Sequence, residues 1–241
     1  MRHKINRLHF IATFFFLLNS LSNSISIATA ADGLVRVVCL GDSITKGVRA
    51  GVAADETFAA LLQAELGRQK IKAEVINTGI GGERTDQALA RLERDVIARK
   101  PAVVTVMYGA NDSYVDIGKS EPRLTQMQFR QNLLQLVDRL QAEKVRVILM
   151  TEPRWGAKAN PNGAGEQPNL RMEPFMATVR EVARLKKTGL VDHYEIWTRR
   201  EREGLDIGTI TTDQLHPNPA GHKVLSQAIL PELVKALKGT D

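Results

Sequence analysis

The 241-residue chain carries 33 Lys and Arg against 27 Asp and Glu, a net charge of +6, with 43% apolar and 5% aromatic residues. Setting aside the first 30 residues removes Arg2, Lys4 and Arg7 and no acid, which leaves 30 against 27, or +3; that is no electrostatic footprint for nucleic acid. A single cysteine, Cys39, excludes an intrachain disulfide, and the roughly 210 residues that remain suit one domain with its own core.

The first 30 residues have the layout of a secretory signal peptide. A basic MRHKINR precedes an apolar stretch over 8–18, a polar Ser/Asn segment and an Ala-x-Ala site at Ala28 and Ala30. The apolar run is about half the ~20 residues that a membrane span needs. No cysteine follows the cleavage site, which argues against a lipid anchor. The expectation is an exported protein, periplasmic or secreted, with no stable membrane insertion once the signal is removed and with 31–241 as the mature domain.

Short apolar runs at 34–40, 74–77, 102–108 and 145–151 read as strands. They are rich in Val and Ile and nearly continuous in apolar character, as parallel strands buried on both faces are. Amphipathic segments lie between them. FAALLQAELGRQ starts at Phe58, DQALARLERDVIARK aligns Leu89, Leu92, Val96 and Ile97, and FRQNLLQLVDRLQAE aligns Leu133, Leu136, Val137 and Leu140. Later helices are expected over 172–187 and 219–237, and His193 at the end of a late strand. The β-α-β-α order predicts a parallel sheet with helices on both faces. Segments 113–124, 152–170 and 199–212 read as irregular, and the middle one is dense in Pro, Gly and Asn.

In open α/β sheets ligands sit beyond the carboxyl ends of the strands, and chemistry-bearing residues gather there. VVCLGDSITKG ends the first strand, NTGIGGERT follows the second, YGANDS the third and TEPRW the fourth. A serine hydroxyl needs a base within hydrogen-bond reach and a group that orients the base. The part of the chain after residue 30 holds three histidines, His193, His216 and His222. His222 falls inside the last helix and reads as a surface or half-buried residue. His216 lies just before that helix, which Asn218 can cap and Pro219 can open. Asp213 stands three residues before it, a spacing that shares one side of a helical turn and lets a carboxylate accept from Nδ1–H while Nε2 faces Ser43. Acyl transfer also needs donors aimed at a developing oxyanion; the Ser43 N–H, the Gly82 N–H and the Asn111 amide are the candidates. Each has a bland alternative, since Gly81-Gly82 can be a plain turn and Asn111-Asp112 a helix cap. Neither HExxH nor CxxC spacing is present, so no metal site is read here.

With Gly41-Asp42-Ser43, Gly82, Gly109-x-Asn111-Asp112 and Asp213-x-x-His216 in order, the chain resembles the GDSL, or SGNH, hydrolase family. The four blocks span most of the chain after residue 30. The resemblance implies a three-layer α/β/α sandwich with a flavodoxin-like parallel sheet. It implies Ser43 as nucleophile, His216 as base, Asp213 as its orienting acid, and the Ser43 N–H, Gly82 N–H and Asn111 side chain as oxyanion hole. Aligning NTGIGGE with the family's second block, where a Gly commonly precedes an acid, selects Gly82 over Gly79; Gly79 and Gly81 stand as alternatives for that donor. The family requires no metal or organic cofactor. Its substrates include lipids, thioesters, aryl esters and acetylated sugars. The polar loop 152–170, with Arg154 and Trp155 as candidate substrate contacts, leans the reading toward a short-chain or O-acetyl carbohydrate ester. A lysophospholipase or thioesterase, an acyltransferase to a sugar hydroxyl, and a non-catalytic ester- or glycan-binding module stand as alternatives.

Overall fold

The computed structural model describes residues 33–239. The expected signal segment lies outside the described residues. Five parallel strands are hydrogen-bonded in the order β2-β1-β3-β4-β5. They are β1 (Val35–Gly41), β2 (Ala73–Asn77), β3 (Val103–Met107), β4 (Arg146–Thr151) and β5 (Gly189–Asp192). The helices are α1 (Ser43–Lys46), α2 (Phe58–Arg68), α3 (Thr85–Asp95), α4 (Gln126–Ala142), α5 (Asn169–Lys186), α6 (His193–Arg202) and α7 (Pro219–Lys238). Helices α2 and α7 pack on each other over one face of the sheet, and α3, α4 and α5 form the layer on the other. This is the three-layer α/β/α sandwich, with the flavodoxin-like strand order.

The four strand expectations hold to within one residue at each end. Every residue of β3 is buried, because helices cover both faces of a central parallel strand. The register sets Gly41, Met107, Met150 and Val191 in one row across the sheet. The residues just past that row therefore reach the same edge. The chain leaves β1 toward β2 on one side and returns past it to β3 on the other, so the crevice at the switch point opens between the ends of β1 and β3.

Three local expectations need correction. His193 does not end a strand. It opens α6, whose first turn is capped by Asp192 through the Glu195 N–H. The first residues of the expected irregular segment 199–212 continue that helix, and Ile207–Ile210 forms a 3-10 turn. His222 is not half-exposed. It is fully buried, and its Nδ1 accepts the N–H of Phe58 at 3.2 Å. Burial pushes its pKa down to about 4, so the ring is neutral and works as a core acceptor. Cys39 is buried as expected, and burial pushes its thiol up to about 11, which makes it inert.

Two glycines bring backbone segments together at the carboxyl edge. A Cβ on Gly41 would overlap Thr45 Oγ1 and stand 2.8 Å from the Met107 carbonyl oxygen. A Cβ on Gly79 would overlap the Lys46 backbone nitrogen, so Gly79 lets the loop after β2 lie directly on α1. Gly79→Ala must force the two backbones apart and is expected to cost ~1–3 kcal/mol of stability. Urea denaturation checks this; an unchanged midpoint would show that the contact is not tight.

Candidate active site

Ser43 is the first residue of α1, directly after β1. Asp42 caps this short helix by accepting the Ile44 N–H at 2.9 Å. Gly47 closes it in a left-handed conformation, φ +73°, which a residue without Cβ adopts freely. The serine is thus presented at a sharp strand-to-helix corner, and its N–H is among those that a helix leaves without an internal acceptor.

The Ser43 Oγ lies 2.8 Å from His216 Nε2. The His216 Nδ1 lies 2.8 Å from Asp213 Oδ2 and 3.0 Å from Oδ1. Asp213 and His216 do not meet on a helical turn as their spacing suggests. They sit in a tight loop closed by Thr212 N–H to the His216 carbonyl at 2.8 Å, with Gln214 left-handed at φ +71°. The Asp213 Oδ1 accepts the His216 backbone N–H at 2.8 Å and that of Leu215 at 3.3 Å. Asn218 then caps α7 through Ala220 and Gly221, and Pro219 opens it. A neutral imidazole held this way has its proton on Nδ1 and a lone pair on Nε2 facing the hydroxyl, so it can take the hydroxyl proton.

Arg49 completes this group, and no sequence pattern points to it. Its Nη2 donates to Asp213 Oδ2 at 2.8 Å. Burial alone would raise the Asp213 carboxyl; the His216 backbone N–H, the imidazole and Arg49 outweigh it and hold the carboxyl below its ordinary range. For His216 burial is the largest influence and lowers the pKa, Asp213 raises it and Arg49 lowers it, with a net position below 6.5.

On the other side of Ser43 stands Asn111. Its Nδ2 donates to Asp42 Oδ2 at 2.6 Å, and its Oδ1 accepts from Arg123 Nη1 at 3.3 Å. These two partners fix which way the amide faces and leave one Nδ2 hydrogen free. The Gly79 N–H donates to the Asn77 side chain at 2.9 Å, so it is already engaged. Among the described residues the N–H groups of Gly81 and Gly82 meet no acceptor. Gly82 is left-handed at φ +76°, and a Cβ on Gly81 would stand 4.0 Å from Ser43 Cβ. This loop is held from beneath by a buried ion pair that sequence reading missed. Arg91 donates to both oxygens of Glu83 at 2.6 and 2.5 Å and to the Thr78 carbonyl at 2.8 Å. The Tyr108 hydroxyl donates to Glu83 at 2.6 Å.

The two substrate-loop candidates part company. Arg154 is engaged in an ion pair with Glu201 of α6 at 2.8 Å. Trp155 stacks on Tyr114, with ring centroids 6.2 Å apart and planes at 30°. Arg123 lies over the other aromatic partner, 5.2 Å from the Tyr114 centroid, while also holding Asn111. The neighbouring Gly156 N–H donates to the Gln214 carbonyl at 2.7 Å, inside the turn that carries Asp213 and His216. The aromatic pair therefore spans from the Asn111 side to the His216 side. Among the described residues no group of three or more His, Cys, Asp or Glu side chains is placed to hold a metal ion, and no helix is long and apolar enough to cross a membrane.

The model of the GDSL-like lipase/acylhydrolase family matches residues 39–224. The chain belongs to that family. It is thereby a carboxylic ester hydrolase. It is similar to the esterase TesA of Pseudomonas aeruginosa, 27% identical over 197 residues that make up 82% of this chain and 87% of that protein. It is also similar to an acetylxylan esterase of Geobacillus stearothermophilus, 28% identical over 215 residues, 82% of this chain and 93% of that one. Among solved structures, a lipase/acylhydrolase from Enterococcus faecalis superposes with a TM-score of 0.70 at 27% identity, covering 83% of this GDSL chain and 95% of the other.

The electrostatics of this GDSL family member give a test independent of turnover. An NMR titration of His216 is expected to show an apparent pKa below 6.5, and Arg49→Ala is expected to move it upward, because a nearby positive charge that disfavours the imidazolium is removed. A downward move would mean that Arg49 acts on His216 chiefly through geometry.

Proposed function

We propose that this hydrolase cleaves short-chain carboxylic esters, with O-acetyl groups on carbohydrate as the substrate class, through an acyl-enzyme on Ser43. The observation that carries the reaction is the contact of Ser43 Oγ with His216 Nε2 at 2.8 Å, backed by Asp213. Ser43 Oγ attacks the ester carbonyl carbon as its proton passes to His216 Nε2. The carbonyl oxygen becomes an oxyanion and takes hydrogen bonds from the Ser43 N–H, the Gly82 N–H and the free Nδ2 hydrogen of Asn111. Asp213 stabilises the imidazolium. Collapse of the intermediate breaks the bond to the alcohol oxygen, which takes the proton from His216. Water then gives a proton to His216 and attacks the acyl carbon, and the acid leaves as Ser43 regains its proton.

Ser43→Ala is expected to abolish turnover and labelling by a fluorophosphonate while leaving the thermal midpoint close to that of the wild type; wild-type activity in that variant would remove Ser43 from the mechanism. Asn111→Ala is expected to lower kcat by ~10²–10³, because its donor acts on charge that exists only in the transition state. A change in KM alone would argue for ground-state binding instead.

The substrate class rests on the Tyr114–Trp155 stack beside the oxyanion residues, since amphipathic aromatic faces receive sugar rings well, and on the likeness to the Geobacillus acetylxylan esterase. A p-nitrophenyl ester series beside acetylated xylan tests it. Activity is expected to fall with acyl length, and Trp155→Ala is expected to raise KM for the acetylated polysaccharide more than for p-nitrophenyl acetate. A preference for long chains would overturn this reading in favour of a lysophospholipase or thioesterase.

A further inference from the structure

Three carboxyl side chains lie buried together under the site, one from the end of each of three strands. Asp42 follows β1, Asp112 follows β3 and Glu152 follows β4, and all three are fully shielded from solvent. No Arg, Lys or His side chain donates to any of them among the described residues. Asp42 is served by the Ile44 N–H at 2.9 Å and by Asn111 Nδ2 at 2.6 Å. Asp112 Oδ1 is served by the Thr85 N–H at 2.9 Å and the Thr85 hydroxyl at 2.6 Å, which pins the start of α3. Glu152 is different. Neither of its oxygens meets a donor; the Ala110 N–H faces it without closing a hydrogen bond. The side chains that bear on it are the carboxyls of Asp42, the nearer in effect, and of Asp112.

Two carboxylates cannot share a buried contact as anions, since each would be left desolvated and facing a like charge. A proton between them turns repulsion into an O–H···O⁻ hydrogen bond, among the strong ones. Asp42 already has two donors that favour its anion, whereas Glu152 has only the Ala110 N–H, which closes no hydrogen bond. That difference in donors favours the proton on Glu152.

We propose that Glu152 is a positioning residue for the oxyanion side of the site: it remains a neutral acid whose hydroxyl donates to Asp42, and Asp42 in turn fixes the Asn111 amide and the Ser43 turn. Burial, the Asp42 and Asp112 charges and the shared hydrogen bond all push the Glu152 carboxyl well above its ordinary value. The same hydrogen bond pulls Asp42 the other way, although burial still leaves Asp42 raised to about 7. The proposal rests on the roles given above to Ser43 and Asn111, so its test has one readout that does not depend on turnover.

Infrared difference spectra of protein labelled with ¹³C-glutamate, wild type minus Glu152→Gln, are expected to show the carbonyl stretch of a protonated glutamic acid at neutral pH, and to show it equally in a Ser43→Ala background. Its absence from the wild type would overturn the proposal, as would a tightly bound divalent cation whose removal by chelation abolishes activity. In kinetics Glu152→Leu, which has no donor, is expected to lower kcat by about 10- to 100-fold with little change in KM, the size of effect that a slight misplacement of catalytic groups produces. Glu152→Gln keeps a donor of the same shape and is expected to recover most of that loss. In an Asn111→Ala background Glu152→Leu is expected to cost little further, because the two act in series. Full additivity would overturn the route through Asn111. Should Glu152→Leu fail to fold, the infrared band and the Glu152→Gln kinetics still decide. Retention of activity by Ser43→Ala would sink the catalytic reading while leaving the infrared result untouched.

Discussion

The hydrogen bond between Ser43 and His216 joins residues 173 positions apart, and a single bond of that kind, worth about 1 kcal/mol net, cannot hold two ends of a chain in register. The fold must hold them first. One end is fixed by β1, paired on both sides by β2 and β3. The other is fixed by the start of α7. There His222, one turn in, accepts the Phe58 N–H at the head of α2, and Asn218 caps the helix while bonding the Thr209 carbonyl at 2.9 Å. Since α2 and α7 pack on each other, that buried bond ties the head of α7, just after the turn that carries His216, to the head of α2. A core histidine thereby helps anchor the element that presents the one proposed as base.

Charge is divided sharply across the site. On the His216 side the acid is partly exposed, flanked by Arg49 and kept ionised. On the Asn111 side three carboxyls are buried, Asp42 and Asp112 with neutral donors and Glu152 with none closed to it. Burial raises the Asp42 pKa to about 7 and that of Asp112 to about 6. In the proposed mechanism one half of the site would stabilise a transient cation, and the other would avoid accumulating fixed negative charge where an oxyanion is to form. Between them the Glu83–Arg91 pair, also buried, anchors the glycine loop through a bidentate contact, the geometry in which arginine binds carboxylate most specifically.

Much of this was legible in the sequence, for physical reasons. Strands buried on both faces must be continuously apolar, so 102–108 and 145–151 announced themselves. Amphipathic helices such as α4 carried a clear period. Helix α6 escaped because HYEIWTRRER is short and dense in charge, with Tyr194 and Trp197 its buried aromatic residues. The order of Ser43, Gly82, Asn111 and His216 was readable because each follows a strand or precedes a helix. The pairing of Arg49 with Asp213, and the closeness of the Glu152 carboxyl to that of Asp42, were not, since they join residues 164 and 110 positions apart with no local period to mark them. The Asp213–His216 spacing pointed to the right partners through the wrong geometry: a helical turn was expected, and a tight loop with a left-handed Gln214 delivers the same contact.

The bond from the Gly156 N–H to the Gln214 carbonyl ties the loop after β4 to the turn that bears the base. A change between residues 154 and 156 is therefore felt at the turn that carries the proposed base, so fitting a new ester there has to keep that contact. The tip near Ile117, 93% exposed, has no such tether to the imidazole. Divergent members of such a lineage should accumulate their length differences at that tip, leaving the Trp155 side nearly fixed in size.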